Sequence, residues 1–329
     1  MASRLLFIHT GGTLGMVPVG TDGALAPADH FARSMKPYIP GVESLAEIES
    51  RSVCNIDSSD MSPDRWVSIG EMIASSVHDF DGFVVLHGTD TMSFTACALS
   101  FMLRDLPRPV ILTGSQRPLA EPRTDARINL VHSTLCAMME IPEVGLYFGS
   151  RLFRGNRTTK VSLQSYHAFA SPNFPPLLEM GVDVKNGAEP LRPRGAFRFR
   201  HGFSRDVAVI SLFPGCSAAQ LSWVIDQGAR VVVLRTFGDG NLPREAWPSA
   251  VEAATSHGIH VIITSQCRSG TISPGRYEGS RHGFDAGALF GEDMTGEAVV
   301  VKSMWLLGQG ITGEAFRASF NQPLAGECR

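Results

Sequence analysis

Two hydroxyl-bearing turns, each following an apolar run, could carry acyl chemistry in this chain. Thr10-Gly11-Gly12-Thr13 follows Leu5-Leu6-Phe7-Ile8, and His87-Gly88-Thr89-Asp90-Thr91-Met92 follows Phe83-Val84-Val85-Leu86. Both runs read as strands. If they lie parallel in one sheet, their carboxyl ends bring two threonines and an aspartate to one crevice, where open α/β sheets place their ligands. A threonine hydroxyl becomes a nucleophile only beside a base or a charge relay. The glycine pair before Thr13 permits a sharp turn and lets backbone N–H groups face a substrate oxygen. Thr89 could position a proton or a water, and Asp90 could hold a substrate ammonium. Lys160, in Arg154-Gly155-Asn156-Arg157-Thr158-Thr159-Lys160, could keep Asp90 ionised. A threonine nucleophile, a second threonine, an acid and a lysine together would make an amide hydrolase.

Each of these residues also has a plainer role. TGGT could be an ordinary turn that uses glycine for positive φ, Asp90 could cap the helix that follows it, and most lysines are solvated. Asp57-Ser58-Ser59-Asp60 sits between a strand and a helix start, where Ser58 could bind a carboxylate or serve turn chemistry. Thr113-Gly114-Ser115-Gln116 is a fourth polar turn after an apolar strand, Val110-Ile111-Leu112. His87 ends an apolar strand and reads as a satisfied core histidine. HExxH, clustered Cys/His spacing, a Walker lysine and GxGxxG are all missing, which leaves metal and nucleotide chemistry without support; no cofactor is expected.

The elements that must position these residues alternate as in βαβ units, predicting an α/β fold with a mostly parallel sheet. Strands are expected at 5–9, 51–56, 82–87, 109–113 and 143–148, and helices at 28–37, 63–77, 91–104 and 124–139. Ser62 before Pro63 is a helix-start signal. Residues 14–27 are rich in Gly and Pro without a period and read as a lid-like loop. The composition turns polar at 184–205, so the chain divides into a larger N-terminal α/β domain (1–188), a linker (189–204) and a smaller C-terminal α/β domain (205–329). The second domain is expected to run as strand 206–213, helix 217–227, strand 230–236, helix 244–256, strand 259–264 and helices near 292–308 and 313–319.

The 329 residues, 43% of them apolar, support a sizeable core, and a net charge of −3 exerts no general pull toward nucleic acid or acidic lipid. No apolar run approaches the ~18 residues of a membrane span. The N-terminus lacks a signal-peptide pattern, and the six scattered cysteines read as reduced core thiols. A cytoplasmic enzyme without nucleic-acid or membrane partners is the expectation.

Taken jointly and in order, the motifs closely resemble those of the bacterial-type L-asparaginases, within them the cytoplasmic type I group. The matching pieces are Thr10–Gly15, Asp57–Met61, His87–Met92, Leu112–Gln116 and Arg154–Lys160, extended by Phe237-Gly238-Asp239-Gly240-Asn241 and Gly291-Glu292-Asp293-Met294-Thr295. The resemblance implies hydrolysis of L-asparagine through an acyl-threonine, with Thr13 as nucleophile and Thr89, Asp90 and Lys160 as proton relay. It implies substrate contacts at Gly12, Asp57, Ser58, Gly88 and Ser115, with oxyanion donors near Gly12 and Thr89. Asn241 would reach a neighbouring subunit's site, implying a homodimer or homotetramer with active sites near subunit interfaces. Cys267 matches a region where some type I members bind asparagine as an effector; otherwise it reads as a core cysteine. One departure concerns the loop 14–27, which has no tyrosine; Ala24 or Leu25 stands where many members carry one. Three other readings are a glutaminase-asparaginase, an amidotransferase subunit acting on misacylated tRNA, for whose extra N-terminal domain the position of TGGT leaves no room, and a non-catalytic asparagine sensor.

Overall fold

A computed structural model describes residues 2–19, 24–27, 41–273 and 275–329. The apolar run after Ser3 forms β1 (Arg4–Gly11), whose Leu5, Leu6, Phe7 and Ile8 are wholly buried. A continuous apolar strand of this kind belongs in the middle of a sheet covered on both faces. Within the stretch 14–27, expected as a lid-like loop, β2 (Met16–Val19) pairs antiparallel with β3 (Ala24–Pro27), after a short 3₁₀ turn at Thr13–Gly15. The helix expected at 28–37 lies outside the described residues.

The first unit, residues 1–200, continues with β4 (Glu47–Ile56), α1 (Pro63–Ser76), β5 (Gly82–Leu86), α2 (Met92–Met102), β6 (Leu103–Arg104), β7 (Val110–Thr113), α3 (Ala126–Ala137) and β8 (Val144–Phe148). It then adds β9 (Arg151–Arg154), β10 (Thr159–Lys160), β11 (Phe169–Ala170), β12 (Leu178–Met180), β13 (Val184–Asn186) and β14 (Arg198–Phe199). The main sheet runs β13-β12-β9-β8-β7-β5-β1-β4. Its five strands β4, β1, β5, β7 and β8 are parallel. An antiparallel extension of β9, β12 and β13 continues the sheet. In chain order the parallel strands read 2-1-3-4-5, a doubly wound order whose switch point lies between β1 and β5. The two hydroxyl-bearing turns leave those two strands at that point.

α2 follows the second turn and is buried at nearly every position, from Met92 to Met102, so it packs as a core helix. α1 starts at Pro63 as expected, with Ser62 in extended conformation at the cap position, but the serine side chain makes no capping bond. The stretch read as a linker runs along the first unit: the Leu191 amide donates to Glu143 Oε1 at 3.2 Å, and β14 pairs with β6.

The second unit, residues 201–329, comprises β15 (Val207–Ser211), α4 (Ala219–Asp226), β16 (Val231–Thr236), α5 (Trp247–Ser256), β17 (His260–Ser265), α6 (Glu278–Asp285), β18 (Leu289–Phe290), α7 (Gly296–Gly308) and α8 (Gly313–Phe320). Its four strands form one parallel sheet in sequential order. α6 and β18 are additions to the sequence expectation. The end of this unit is tied down by a buried ion pair. Lys302 Nζ, with no exposure, lies 2.5 Å from Glu327 Oε1 and donates to the carbonyls of Phe320 and Gln322 at 2.7 Å each. Glu327 in turn accepts the Leu324 amide at 3.0 Å and the Ala325 amide at 2.7 Å. Burial pushes the Glu327 carboxyl up, yet the Lys302 ammonium and the two amides outweigh it and hold it below the ordinary carboxylate range.

Candidate active site

β1 and β5 pair in register, His9 opposite Leu86, so the turns that follow emerge side by side. Thr10 Oγ1 donates to the Leu86 carbonyl at 2.9 Å and joins the two strand ends. On the other side the β1–β4 register slips between His9 and Gly11, and the Gly12 amide donates to Ile56 O at 3.1 Å. Gly11 and Gly12 have φ of +99° and +87°, in the region that favours glycine. Space is as strict as dihedral angle here. A Cβ on Gly12 would stand 2.4 Å from Gly88 N, one on Gly11 2.3 Å from Ile56 O, and one on Gly88 2.6 Å from Ser58 Oγ. Three backbone turns are therefore packed against each other, and Thr13 starts the 3₁₀ turn that leaves the contact. The Thr13 hydroxyl has no hydrogen-bond partner among the described residues.

The second turn is locked from behind. Trp66 Nε1 donates to Thr95 Oγ1 at 3.0 Å, and Thr95 Oγ1 meets His87 Nε2 at 2.8 Å. His87 Nδ1 lies 2.7 Å from the Gly88 carbonyl. A carbonyl only accepts, which assigns the proton to Nδ1 and makes Nε2 the acceptor of the threonine hydroxyl. Burial pushes His87 down to about 4, against the raising effect of the Gly88 bond, so the ring is neutral. His87 is thus the satisfied core histidine that its sequence position suggested. Since every described peptide is trans, the Thr89 N–H points opposite to the Gly88 carbonyl, and no acceptor among the described residues takes it.

Asp90 does not cap α2. Thr91 holds the cap position without a side-chain capping bond and donates through Oγ1 to Ser58 O at 2.7 Å. The Asp90 carboxylate is free to meet Lys160, whose Nζ lies 2.6 Å from Asp90 Oδ1 and 2.8 Å from Thr89 Oγ1. Lys160 ends the short ribbon of β10 with β11 and is mostly buried at the side chain, while Asp90 is 60% exposed. Ser58 is buried, and its Oγ accepts the Asp90 amide at 3.3 Å. Asp57 caps the 3₁₀ turn at Ser58–Asp60 by accepting the Ser59 amide at 2.8 Å, a bond that holds its carboxyl below the usual range. The Ser115 hydroxyl is spent on its own turn, donating to Arg117 O at 2.6 Å.

Two residues named from the sequence lie in the second unit. Asn241 closes a tight turn with Phe237, and its Oδ1 is buried without a hydrogen-bond partner among the described residues, as is Oδ2 of Asp239. Cys267 follows β17 and is exposed, not a core cysteine. Cys97, Cys136, Cys216 and Cys328 are buried thiols, and Cys54 is partly buried. Among the described residues no group of three or more His, Cys, Asp or Glu could hold a metal ion, and no helix is long and apolar enough to cross a membrane.

The family model described as Asparaginase, N-terminal, matches residues 4–192, and that described as Glutaminase/Asparaginase C-terminal domain matches residues 206–320. The chain belongs to the asparaginase family. L-asparaginase 1 of Escherichia coli is 40% identical over 336 residues, covering 99% of this chain and 98% of that protein. The solved structure of L-asparaginase I from Vibrio cholerae superimposes with a TM-score of 0.89 at 36% identity, covering the whole of both chains. The thermostable L-asparaginase from Thermococcus kodakarensis gives 0.90 at 32% identity over 99% of each. Within the first unit, Thr10–Thr13, Ser58, Thr89–Asp90 and Lys160 meet at the switch point of the main sheet, whereas the segments 237–241 and 291–295 belong to the second unit. Reading the sequence missed what stands behind the switch-point residues, Trp66, Thr95, Asp125 and Asn129, and gave Gln116 no role beyond membership of its turn. Their one local signal is the spacing of Asp125 and Asn129, four residues apart at the start of α3.

Proposed function

We propose that this chain hydrolyses the side-chain amide of L-asparagine to L-aspartate and ammonia through an acyl-threonine intermediate. Thr13 Oγ attacks the amide carbon, and its proton passes by way of the Thr89, Asp90 and Lys160 group to the departing nitrogen, which leaves as ammonia. Water then hydrolyses the β-aspartyl ester and returns the proton to Thr13. The outward-facing Thr89 N–H, with N–H groups near Gly12, would receive the oxyanion. Gly12, Asp57, Ser58, Gly88, Ser115 and Asp90 would hold the substrate's two charged ends so that one amide carbon faces Thr13. The observation that carries this reading is the lysine that reaches both Thr89 and Asp90 at hydrogen-bond distance, together with a Thr13 hydroxyl that has no hydrogen-bond partner among the described residues. The names of the relatives support the substrate. The loop 14–27 holds no tyrosine, so on this reading Thr13 is activated without a phenol from that loop.

The same reading places all the relay residues in a domain of residues 1–188, with 189–204 connecting to a smaller domain of residues 205–329. It makes the protein a cytoplasmic homodimer or homotetramer acting without a cofactor. Asn241 would contribute to a neighbouring subunit's site, for which its unpartnered Oδ1 is the support, and the exposed Cys267 would lie at an asparagine effector site. The test is ammonia release from L-asparagine and L-glutamine by the wild-type protein and by Thr13→Ala. Release from asparagine that far exceeds release from glutamine and disappears in Thr13→Ala is expected. Equal release from both substrates would replace the assignment by a glutaminase-asparaginase, and full activity of the variant would remove Thr13 as nucleophile.

A further inference from the structure

A glutamine that none of the foregoing roles uses stands between Thr89 and the loop that follows Lys160. That loop, residues 161–168, is closed by the Val161 amide on Ala168 O at 2.8 Å. Inside it, Ser162 Oγ accepts the Gln164 and Ser165 amides at 3.2 and 3.0 Å. Its tip is exposed, with Leu163 at 81%, so packing does little to hold it. Side chains tie it to the first unit: Tyr166 Oη donates to Arg123 O at 2.6 Å, and Gln116 Nε2 donates to Leu163 O at 3.1 Å and to Ser165 O at 3.2 Å.

Two carbonyl partners fix the amide's orientation, since only the NH₂ group can serve both. Oε1 must then face the other way, and it lies 3.4 Å from Thr89 Oγ1. Lys160 Nζ has only protons to give, so the Thr89 oxygen accepts from it at 2.8 Å. The one proton of Thr89 is left for Gln116. Donors and acceptors are thereby assigned along the whole chain of atoms, from the loop carbonyls through Gln116 and Thr89 to Lys160 and Asp90. Gln116 is itself held by a buried polar frame. The Asp125 carboxylate accepts the Gln116 amide at 3.0 Å and the Arg117 amide at 3.1 Å. Asn129 Nδ2 donates to Asp125 Oδ2 at 3.2 Å and to Gly114 O at 2.9 Å. Asp125 is 6% exposed and Asn129 not at all. Burying a carboxylate is costly, and here its hydrogen bonds go to the turn that presents Gln116.

We propose that Gln116 is a positioning residue: it sets the direction in which the Thr89 hydroxyl donates and couples that hydroxyl to the loop 161–168. The proposal rests on the function proposed above. Its test is steady-state ammonia release from L-asparagine across pH for the wild-type protein, Gln116→Ala and Gln116→Glu, with urea midpoints to verify folding. Gln116→Ala frees the hydroxyl to rotate and is expected to lower kcat about tenfold, the worth of one hydrogen bond in the transition state, with KM changed less than about twofold. Gln116→Glu has nearly the same shape and keeps the test open if the alanine variant does not fold. Protonated, it can both donate and accept; ionised, it can only accept and loses the loop carbonyls. A descending limb as the new carboxyl ionises, missing from both other proteins, is therefore expected. Wild-type kcat in Gln116→Ala, an effect confined to KM, or a Gln116→Glu profile parallel to wild type would each overturn the positioning role. Those results leave the proposed function standing, whereas a folded wild-type protein that releases no ammonia overturns both.

Discussion

The sharpest stability prediction concerns Lys302 and Glu327. Replacing Lys302 by Met keeps the approximate length of the side chain and removes its charge. The Glu327 carboxylate then remains at 0% exposure without its cation, and the Phe320 and Gln322 carbonyls lose a donor. Breaking a buried pair on one side costs about 3–5 kcal/mol. Glu327→Gln should cost a similar amount, about 3 kcal/mol or more, because the amide oxygen can keep the Leu324 and Ala325 amides only by turning its NH₂ toward the Lys302 ammonium, which stays buried without an anion. The double variant should cost less than the two singles together by about 1.5 kcal/mol or more, since the charge left behind in each single variant is then gone. It should not return to wild type, because the two carbonyls still lack a donor. The assay is urea unfolding followed by tryptophan fluorescence, with Trp247 and Trp305 reporting from the core of the same unit. The pH dependence gives a second check. The folded-state carboxyl of Glu327 lies below its ordinary value, so its contribution is present above the unfolded pKa of about 4.3 and is lost as pH falls through the folded value. The gap between wild type and Lys302→Met should therefore narrow in acid. Strict additivity of the singles, or a gap that widens in acid, would refute the reasoning.

Other consequences can be checked in the same preparations. Lys160→Met should lower kcat by about a hundredfold or more, the range of a lost proton-transfer partner, while the unfolding midpoint hardly moves, because Asp90 is largely exposed and such pairs contribute about 1 kcal/mol or less. Gly12→Ala forces a Cβ to 2.4 Å from Gly88 N at φ +87°; strain of about 1–3 kcal/mol and loss of ammonia release are expected, read by urea midpoint and activity on one sample. His87 is held neutral with its folded value lowered to about 4. The unfolded chain therefore takes up the proton first, and stability should fall by up to about 3 kcal/mol as pH drops from 6.5 to 4. His87→Gln, which does not titrate, should show a shallower loss of urea midpoint over that window; an identical slope would mean that this ring does not carry the effect.

The parts of the fold legible in the sequence are those whose cause is local. Leu5–Ile8, Phe83–Leu86 and Val110–Leu112 are continuous apolar runs because both faces of those strands are covered. The antiparallel extension was not legible, since β12 and β13 exist through partners far along the chain. α6 was hidden for another reason. It carries Gly279 and Gly283, poor helix formers, because a Cβ on Gly283 would stand 2.3 Å from Ile263 Cδ1 and one on Gly279 2.9 Å from Asn241 Oδ1. Packing overrides propensity there. At the candidate site, residue types and order pointed to Thr13, Thr89, Asp90 and Lys160. That Asp90 turns to a lysine seventy residues away and not to its own helix is a tertiary fact. The frame of Asp125, Asn129 and Gln116 is invisible for the same reason.

The contact of Gly12 with Gly88, and of Gly88 with Ser58, bears on how such a crevice can change over time. Where Gly12 meets Gly88 the floor is main chain against main chain, and the Ser58 side chain closes on Gly88, so the glycines themselves offer nothing that can be trimmed to admit a longer amide. Random mutagenesis in search of altered substrate range should find positions 11, 12 and 88 silent in the worst sense, yielding only inactive clones. The productive variants should cluster on segments that end in solvent, such as the exposed tip at Leu163, where a changed residue meets water before it meets backbone.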